Sequence, residues 1–284
     1  MRKRTGRLLT ITACLVTLLE ACLHPAPRLV ADDTRSRLVA AKPKIMSADY
    51  RADLDELARL RDEVMPLAED PALGHLAHYW AGFASWRIAI NGASQGMSMG
   101  DLKTHLERAA ADFEASIRQE GDFADGYAAA AGVYGWLAAF YRNDPAAMQE
   151  RIEQFRRLLA RALELEPDNP RALWVQAAPF LFLPPEQGGN IDRAIEIYRR
   201  MDELSQATSD AGSPLPDWGK PEALMSLASA HLNHSPPDLA SASEEAHAAL
   251  RLQPEWSYVR DILVPKIEAA QSKEAGAEGQ QQQP

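Results

Sequence analysis

Apolar and polar residues alternate along the chain with the period of an α-helix, and proline, glycine, asparagine and aspartate interrupt the pattern. The clearest stretch, residues 160–173, reads ARALELEPDNPRAL. One helix must end before Pro167, which has no backbone N–H to donate, and Pro170 suits the first turn of the next helix. The spacing predicts two helices joined by a very short corner. Because β-branched runs are few, we expect an all-α fold.

Similar corners and packing patterns recur elsewhere in the chain. Residues 249–254, ALRLQP, repeat the alanine-to-proline spacing of residues 162–167, and Ala242 supplies a small residue earlier in the same segment. Aromatic and small residues also alternate at helical spacing over residues 127–134 and, less regularly, from Trp80. Small residues let the two helices of a hairpin approach closely, and large residues fill the space beside the neighbouring hairpin. These spacings predict a series of helical hairpins.

This pattern resembles the tetratricopeptide repeat (TPR), a helix-turn-helix unit of about 34 residues that stacks into a solenoid. The resemblance covers about residues 71–255 and implies a right-handed α-solenoid of about four irregular TPR-like hairpins. Extra residues around 91–103 and 143–145 make the repeats irregular. The segment 184–190 resembles a loop of exported bacterial repeat proteins, including the lipoprotein T-component of TRAP transporters, and 216–223 resembles a segment of bacterial lipoproteins of this type.

The N-terminus has the pattern of an export signal. Basic residues precede a largely apolar stretch, residues 8–19, that is too short to span a bilayer. Residues 19–22, LEAC, resemble the lipobox cut by the bacterial lipoprotein signal peptidase, although Glu20 departs from the usual small residue. The resemblance implies lipidation of Cys22 and a place at the periplasmic face of a bacterial membrane, such as the outer membrane. The alternative is an ordinary secretory signal and a soluble periplasmic or secreted protein.

Four regions are expected along the chain. Residues 1–21 are predicted to be the signal peptide, 22–46 a lipidated N-terminus and tether, 47–271 the TPR-like helical domain, and 272–284 a disordered tail. The tether has prolines, mixed charges and no sustained apolar period. The tail consists of small and polar residues that cannot bury enough apolar surface to fold. Because the only cysteine beyond the signal peptide is Cys22, no disulfide can hold the domain, and packing alone must do so.

Charge and motifs exclude several classes of function. A net charge of -10 and a pI near 5.2 argue against nucleic-acid binding, which needs a basic face. The same charge repels anionic membrane surfaces, so contact with a membrane is expected only through a lipid. Residues 96–100 match the G-x-S-x-G motif of α/β-hydrolases, with Ser98 as nucleophile. That motif requires a preceding strand, whereas residues 75–90 predict a helix.

Two histidine pairs are possible metal ligands. His75 and His78, and likewise His231 and His234, are spaced so that each pair would share one face of a helix. A tight metal site usually needs three or four ligands, and the helical domain has no cysteine. We therefore predict no metal, no cofactor and no enzymatic activity.

The remaining candidate site is a surface. In TPR proteins the first helix of each hairpin lines the concave side, and the resemblance implies a binding groove there. The predicted groove residues are His78, Ser85, Trp136, Arg171, Trp174, Phe182, Met225 and Asn233. The aromatic residues among them are of most interest, because exposed aromatics are enriched at binding hot spots. The alternative is that they fill the core.

Together these features predict a non-enzymatic, membrane-tethered TPR scaffold of the bacterial envelope that binds a protein or peptide through its concave face. The alternative is a small-molecule binding component associated with a transporter, as the T-component resemblance implies. An enclosed apolar pocket lined by Trp174 and Phe182 would favour this alternative, whereas an open groove with exposed aromatics would favour the scaffold.

Overall fold

A computed structural model describes residues 27–205 and 210–281 of the chain. All regular secondary structure in these two ranges is helical, as the sequence predicts. The predicted signal peptide, residues 1–21, and the predicted lipidation residue, Cys22, lie outside the described residues.

The described helices form five successive hairpins and a final helix. Their bounds are α1 (Pro27–Tyr50) and α2 (Leu54–Val64), α3 (Gly74–Ser94) and α4 (Met99–Gln119), α5 (Ala124–Ala138) and α6 (Pro145–Leu165), α7 (Pro170–Phe182) and α8 (Ile191–Leu204), α9 (Lys220–Asn233) and α10 (Leu239–Leu252), and α11 (Val264–Gln281). Each first helix packs on its own partner helix and on the first helix of the next hairpin. The fold is an all-α solenoid, and the predicted hairpins are those from α3 to α10.

Side-chain caps set the starts of many helices. The side chains of Asp53, Ser98, Asp144, Asn190 and Asp238 each accept a hydrogen bond from the backbone N–H three residues further on. At the predicted corner, α6 ends at Leu165 and Asn169 caps α7, which begins at Pro170. This corner is the one that the proline spacing predicts.

Small residues let the hairpins pack closely. Ala128, Ala162 and Ala172, on α5, α6 and α7, are each 0% exposed and form one cluster. Gly132 on α5 lies against the indole ring of Trp86, and a Cβ at this glycine would be 2.8 Å from two carbons of that ring. A larger side chain at this seam would push α3 and α5 apart.

The prediction of a tether over residues 22–46 is wrong from Pro27 onward. That stretch belongs to α1, which packs on α2 and α3 and adds a hairpin before the four that the sequence predicts. Its apolar residues Leu38, Ala41 and Ile45 are buried. The prediction fails because a charged residue of this helix, Lys42, points into the interior rather than to solvent.

The C-terminal boundary at residue 271 is also wrong. Helix α11 continues to Gln281, so the backbone that the sequence predicts to be disordered is helical within the described residues. Side chains of residues 272–276 are all exposed, as their polar and small character predicts. Residues 272–276 therefore contribute little buried surface to the solenoid.

The first and last hairpins contact each other. The ring of Tyr50, at the end of α1, lies 5.0 Å from the ring of Trp256, centroid to centroid. Ser257 Oγ donates a hydrogen bond to the carbonyl oxygen of Tyr50 at 2.9 Å, and Tyr50 Oη donates to Glu222 Oε1 on α9 at 2.7 Å. These contacts join the end of α1 to α9 and to the residues that follow α10.

Candidate functional site

The inner side of the solenoid, where the sequence predicts an open groove, is filled by residues 210–219, the segment that leads into α9. Trp218 in this segment is only 5% exposed, and its ring lies 5.8 Å from that of Phe83 on α3 and 5.7 Å from that of Trp174 on α7. Its Nε1 donates to Tyr79 Oη at 3.0 Å. Because α3 and α7 are the first helices of two different hairpins, a residue that contacts both lies on the side of the solenoid that the first helices line. The predicted open groove is closed at this position.

Two predicted groove residues, Ser85 and Arg171, use their polar groups inside the fold. Ser85 is 0% exposed and its Oγ accepts a hydrogen bond from Arg61 Nε at 3.0 Å. Arg171 Nε donates to Asp125 Oδ1 at 2.6 Å, and its Nη1 donates to the carbonyl oxygen of Trp218 at 3.5 Å. The prediction that these two side chains face a free groove is wrong, because neighbouring helices and the inner segment already bind them.

Trp174 is half-buried among other aromatic rings. It meets the rings of Trp86 and Trp218 edge-on, each at a centroid distance of 5.7 Å. Its Nε1 donates to Ser226 Oγ on α9 at 3.1 Å. The alternative that the sequence left open, a place in the core, is the one that Trp174 takes.

The three remaining polar or flexible groove residues are dispersed. His78 is half-buried, with Nδ1 3.8 Å from Asp112 Oδ1. Met225 is half-buried against the cluster formed by α9, α10 and α11. Asn233 is exposed at the end of α9, and its Nδ2 donates to the carbonyl oxygen of Ser229 at 2.7 Å. These residues do not converge on one site.

Exposed apolar side chains concentrate instead where the first helix of a hairpin turns into the second. Six large apolar side chains are exposed among the described residues, and four of them lie at these turns: Met99 at 56%, Trp136 at 43%, Phe182 at 75% and Leu183 at 42%. We call these four residues the tip edge. The sequence places Trp136 and Phe182 in the concave groove, with a place in the core as the alternative, whereas the structure has both at hairpin turns. Met99 and Leu183 are not among the predicted groove residues. Their position beside glycine- or proline-rich turns is the signal that could have found them.

The turns at the tip edge lie side by side. Ala128 and Gly132 on α5 lie beside Ala172 and Val175 on α7, so the two helices run in the same direction and their exposed ends lie on the same side. Lys103, near the start of α4, lies 4.6 Å from the centroid of the Tyr141 ring, which belongs to the next turn. The tip edge is therefore a strip that crosses three adjacent hairpins.

The turn between α7 and α8 holds its apolar residues in a fixed position. Gly188 has a φ of 96°, which favours glycine, and the backbone N–H of Gly189 donates to the carbonyl oxygen of Pro184 at 3.1 Å. A Cβ on Gly189 would lie 1.7 Å from the carbonyl oxygen of Leu183, so only glycine fits. This tight turn holds Phe182 and Leu183 in positions where both side chains are exposed to solvent.

A second cluster of note is charged and buried, and it joins α1, α3 and α9. Arg87 Nε and Asn91 Nδ2 donate to Asp49 Oδ1 at 2.7 and 2.8 Å. Beside them, Tyr50 Oη donates to Glu222 Oε1. Burial raises the pKa of the Glu222 carboxyl, and the nearby Asp49 carboxylate raises it as well, against the opposing effects of the Tyr50 hydrogen bond and the Arg87 charge. All five side chains are buried, so the cluster holds the ends of the solenoid together.

The residues of the possible catalytic and metal-binding motifs make hydrogen bonds within the fold. Ser98 caps α4 by accepting a backbone hydrogen bond, and a helix precedes it where a hydrolase would have a strand. His231 Nδ1 lies 2.8 Å from Glu245 Oε2, and His234 Nε2 lies 3.0 Å from Asp192 Oδ1. Among the described residues no three His, Cys, Asp or Glu side chains are grouped so that they could hold a metal ion.

The pocket that would favour small-molecule binding is not formed by the residues predicted to line it. Trp174 is packed between two other tryptophan rings, and Phe182 is 75% exposed. A depression of about 270 Å³ beside Lys44, Ser47 and Arg51 is open to solvent. None of the described helices combines the length and the apolar character that a bilayer-spanning segment needs.

Comparison with known proteins gives distant structural likenesses. No family model and no curated protein matches the chain. The chain is similar to a thermophilic TPR protein of Thermus thermophilus, with 16% identity and a TM-score of 0.45 over 75% of this chain and 98% of the other. It is also similar to the HusA haemophore from Porphyromonas gingivalis, with 21% identity and a TM-score of 0.45 over 70% of this chain and 92% of that one. Neither likeness bears on function.

Proposed function

We propose that the protein is a non-enzymatic interaction scaffold that binds a partner protein through the tip edge. The observation that supports this proposal is the exposure of Met99, Trp136, Phe182 and Leu183 along one strip of a solenoid whose inner side is filled. Grouped exposed apolar side chains mark interaction sites on soluble proteins. Aromatic anchors of this kind carry most of the energy of many protein interfaces.

The composition of the turns indicates the chemistry of the partner. Residues 136–141, WLAAFY, and residues 182–185, FLPP, contain no charged side chain. The nearest charges in the chain beyond the first stretch, Arg142 and Asp144, have opposite signs. We therefore expect the partner to present an apolar patch with a mixed-charge rim. Such an association depends little on ionic strength, because screening acts on charge pairs and not on apolar burial.

We further propose that the scaffold is exported and carries a lipid on Cys22. This residue precedes α1 closely in the sequence, and α1 has 24 residues, which corresponds to about 36 Å of helix. The lipid would attach beside the start of α1, whereas the tip edge lies at the ends of the first helices. In this arrangement the tip edge faces away from the anchoring membrane, toward a partner in the periplasm.

The experiment compares partner capture by matched variants. Phe182→Ser with Leu183→Ser removes two apolar residues of the tip edge, and Leu215→Ser removes an apolar residue that is 50% exposed but lies off it. Each immobilised protein captures proteins from the native envelope, and quantitative mass spectrometry compares the recovered sets. A candidate partner is then purified and its dissociation constant measured against the same three proteins.

We expect one partner that the wild type and Leu215→Ser bind equally and that the double variant binds at least tenfold more weakly. Loss of a single hot-spot side chain costs about 2 kcal/mol or more, which corresponds to a factor of about thirty in affinity. If the double variant keeps its helical circular dichroism and captures the same proteins in the same amounts, the tip edge is not the binding surface.

A further inference from the structure

Residues 210–219, DAGSPLPDWG, lie along the inner side of the solenoid in the manner of an extended peptide bound to a surface. Burial alternates along the segment: Pro214, Pro216 and Trp218 are buried, whereas Leu215 is 50% exposed. A period of two is typical of an extended chain with one face on its support and one in solvent. The hairpin helices around it bury their side chains with helical spacing instead.

The surrounding helices hold this segment largely by its backbone. Trp80 Nε1 on α3 donates to the carbonyl oxygen of Pro214 at 2.8 Å. From α1, Lys42 Nζ and Arg35 Nη2 donate to two further carbonyl oxygens of the segment at 2.8 and 3.2 Å. An aromatic N–H that donates to a proline carbonyl is typical of grooves that bind proline-containing peptides, whose restricted φ lowers the entropic cost of binding.

Side-chain contacts add a specific pattern. Asp217 Oδ2 pairs with Lys42 Nζ at 2.7 Å, and Lys42 is itself only 1% exposed. The next residue, Trp218, inserts between the rings of Phe83 and Trp174. The inner side therefore has one position for a carboxylate and, next to it, one for an indole. Along the segment, the matching order of residues is Pro-x-Pro-acid-Trp.

We propose that residues 210–219 are a built-in ligand: the inner side is a binding site for an extended Pro-x-Pro-acid-Trp peptide, and the chain occupies it with its own segment. A partner segment of the same chemistry displaces this resident segment when it binds the inner side more tightly than the resident segment does. Peptide binding at the inner side is separate from partner binding at the tip edge and does not require it. Because a tethered segment has an effective concentration of roughly millimolar, a free peptide at micromolar concentration competes only when the resident segment is weakened.

The test uses full-length protein and a dye-labelled synthetic peptide with the sequence of residues 210–219, followed by fluorescence anisotropy. In one variant a Gly/Ser linker of equal length replaces residues 210–218. In a second variant, Pro214→Ala with Pro216→Ala, the resident segment loses its restricted backbone while every groove side chain is kept. Leu215→Ser changes only an exposed position and is the matched control. A peptide with both prolines and the tryptophan replaced by alanine is the control ligand.

We expect the linker variant to bind the peptide in a one-to-one complex and the double-proline variant to bind it at least tenfold more tightly than the wild type. Leu215→Ser should behave as the wild type, and the control peptide should bind at least tenfold more weakly to both variants. The proposal is overturned if the linker variant keeps its helical circular dichroism and does not bind. It is equally overturned if that variant unfolds and the double-proline variant binds no more tightly than the wild type.

Discussion

Replacing Lys42 by methionine tests whether α1 belongs to the folded body. Lys42 Nζ pairs with Asp217 Oδ2 at 2.7 Å and donates to the carbonyl oxygens of Asp210 and Leu215 at 2.8 and 3.4 Å. Methionine has a similar length and an apolar stem, so the substitution removes the charge and its donated hydrogen bonds while it keeps most of the packing.

The expected cost follows from the burial of the pair. Removing one partner of a buried ion pair costs about 3–5 kcal/mol, because the other charge loses its ionic partner. The Asp217 side chain retains 22% exposure, so water relieves part of its cost. We therefore expect Lys42→Met to lower the free energy of unfolding by about 2–4 kcal/mol.

Urea unfolding followed by far-ultraviolet circular dichroism measures this loss. Lys44→Met, at an exposed position on the same helix, is the matched control and should change stability by less than about 0.5 kcal/mol. Adding Asp217→Asn to Lys42→Met should cost less than the sum of the two single changes, by about 1 kcal/mol or more. If Lys42→Met unfolds within about 0.5 kcal/mol of the wild type, α1 is not docked, and the tether that the sequence predicts is correct.

Three further predictions concern other parts of the chain. Glu222→Gln should stabilise the protein at neutral pH, because the raised pKa of the Glu222 carboxyl makes its ionisation in the folded state unfavourable as pH rises. Urea unfolding at several pH values should show that the free energy of unfolding gained by the substitution becomes smaller as pH falls toward 4.5, the ordinary pKa of this carboxyl. Gly132→Ala places a Cβ 2.8 Å from the Trp86 ring and should lower the free energy of unfolding, measured by thermal unfolding, by about 1–3 kcal/mol. Gly100→Ala is the control: its Cβ would have its nearest neighbouring atom at 3.8 Å, so this change should be neutral or slightly stabilising. Cys22→Ser should abolish labelling with a radioactive fatty acid and release the protein from membranes, and unchanged membrane fractionation would contradict the lipid anchor.

Local signals account for the parts of the fold that the sequence predicts. The corner at Asn169 and Pro170 depends on a cap and a proline within a few residues of each other, so it can be found without knowledge of the rest of the chain. Helix α1 depends on distant contacts instead. Lys42 is buried because Asp217, 175 residues away in sequence, pairs with it. A mixed-charge segment with prolines gives no local sign of such a partner.

The candidate site was predictable only in part for the same reason. Assigning groove positions by resemblance to TPR proteins assumes that the inner side is empty, but the segment that ends in Trp218 fills it and covers Trp174. Nothing in the spacing of the hairpins shows where an irregular linking segment will lie. Trp136 and Phe182 are exposed at the ends of first helices, where packing stops, rather than along the inner side where the resemblance places them. Binding through them stays a prediction.

Hydroxyl-radical footprinting read by mass spectrometry measures the accessibility of the inner side and of the tip edge in one sample. On the free protein we predict strong modification of Met99, Trp136 and Phe182 and protection of Trp218. Addition of the captured partner should protect the three tip residues and leave Trp218 unchanged. Strong modification of Trp218 in the free protein would show that the inner side is open. Tip residues that react equally with and without the partner would show that the tip edge is not the binding surface.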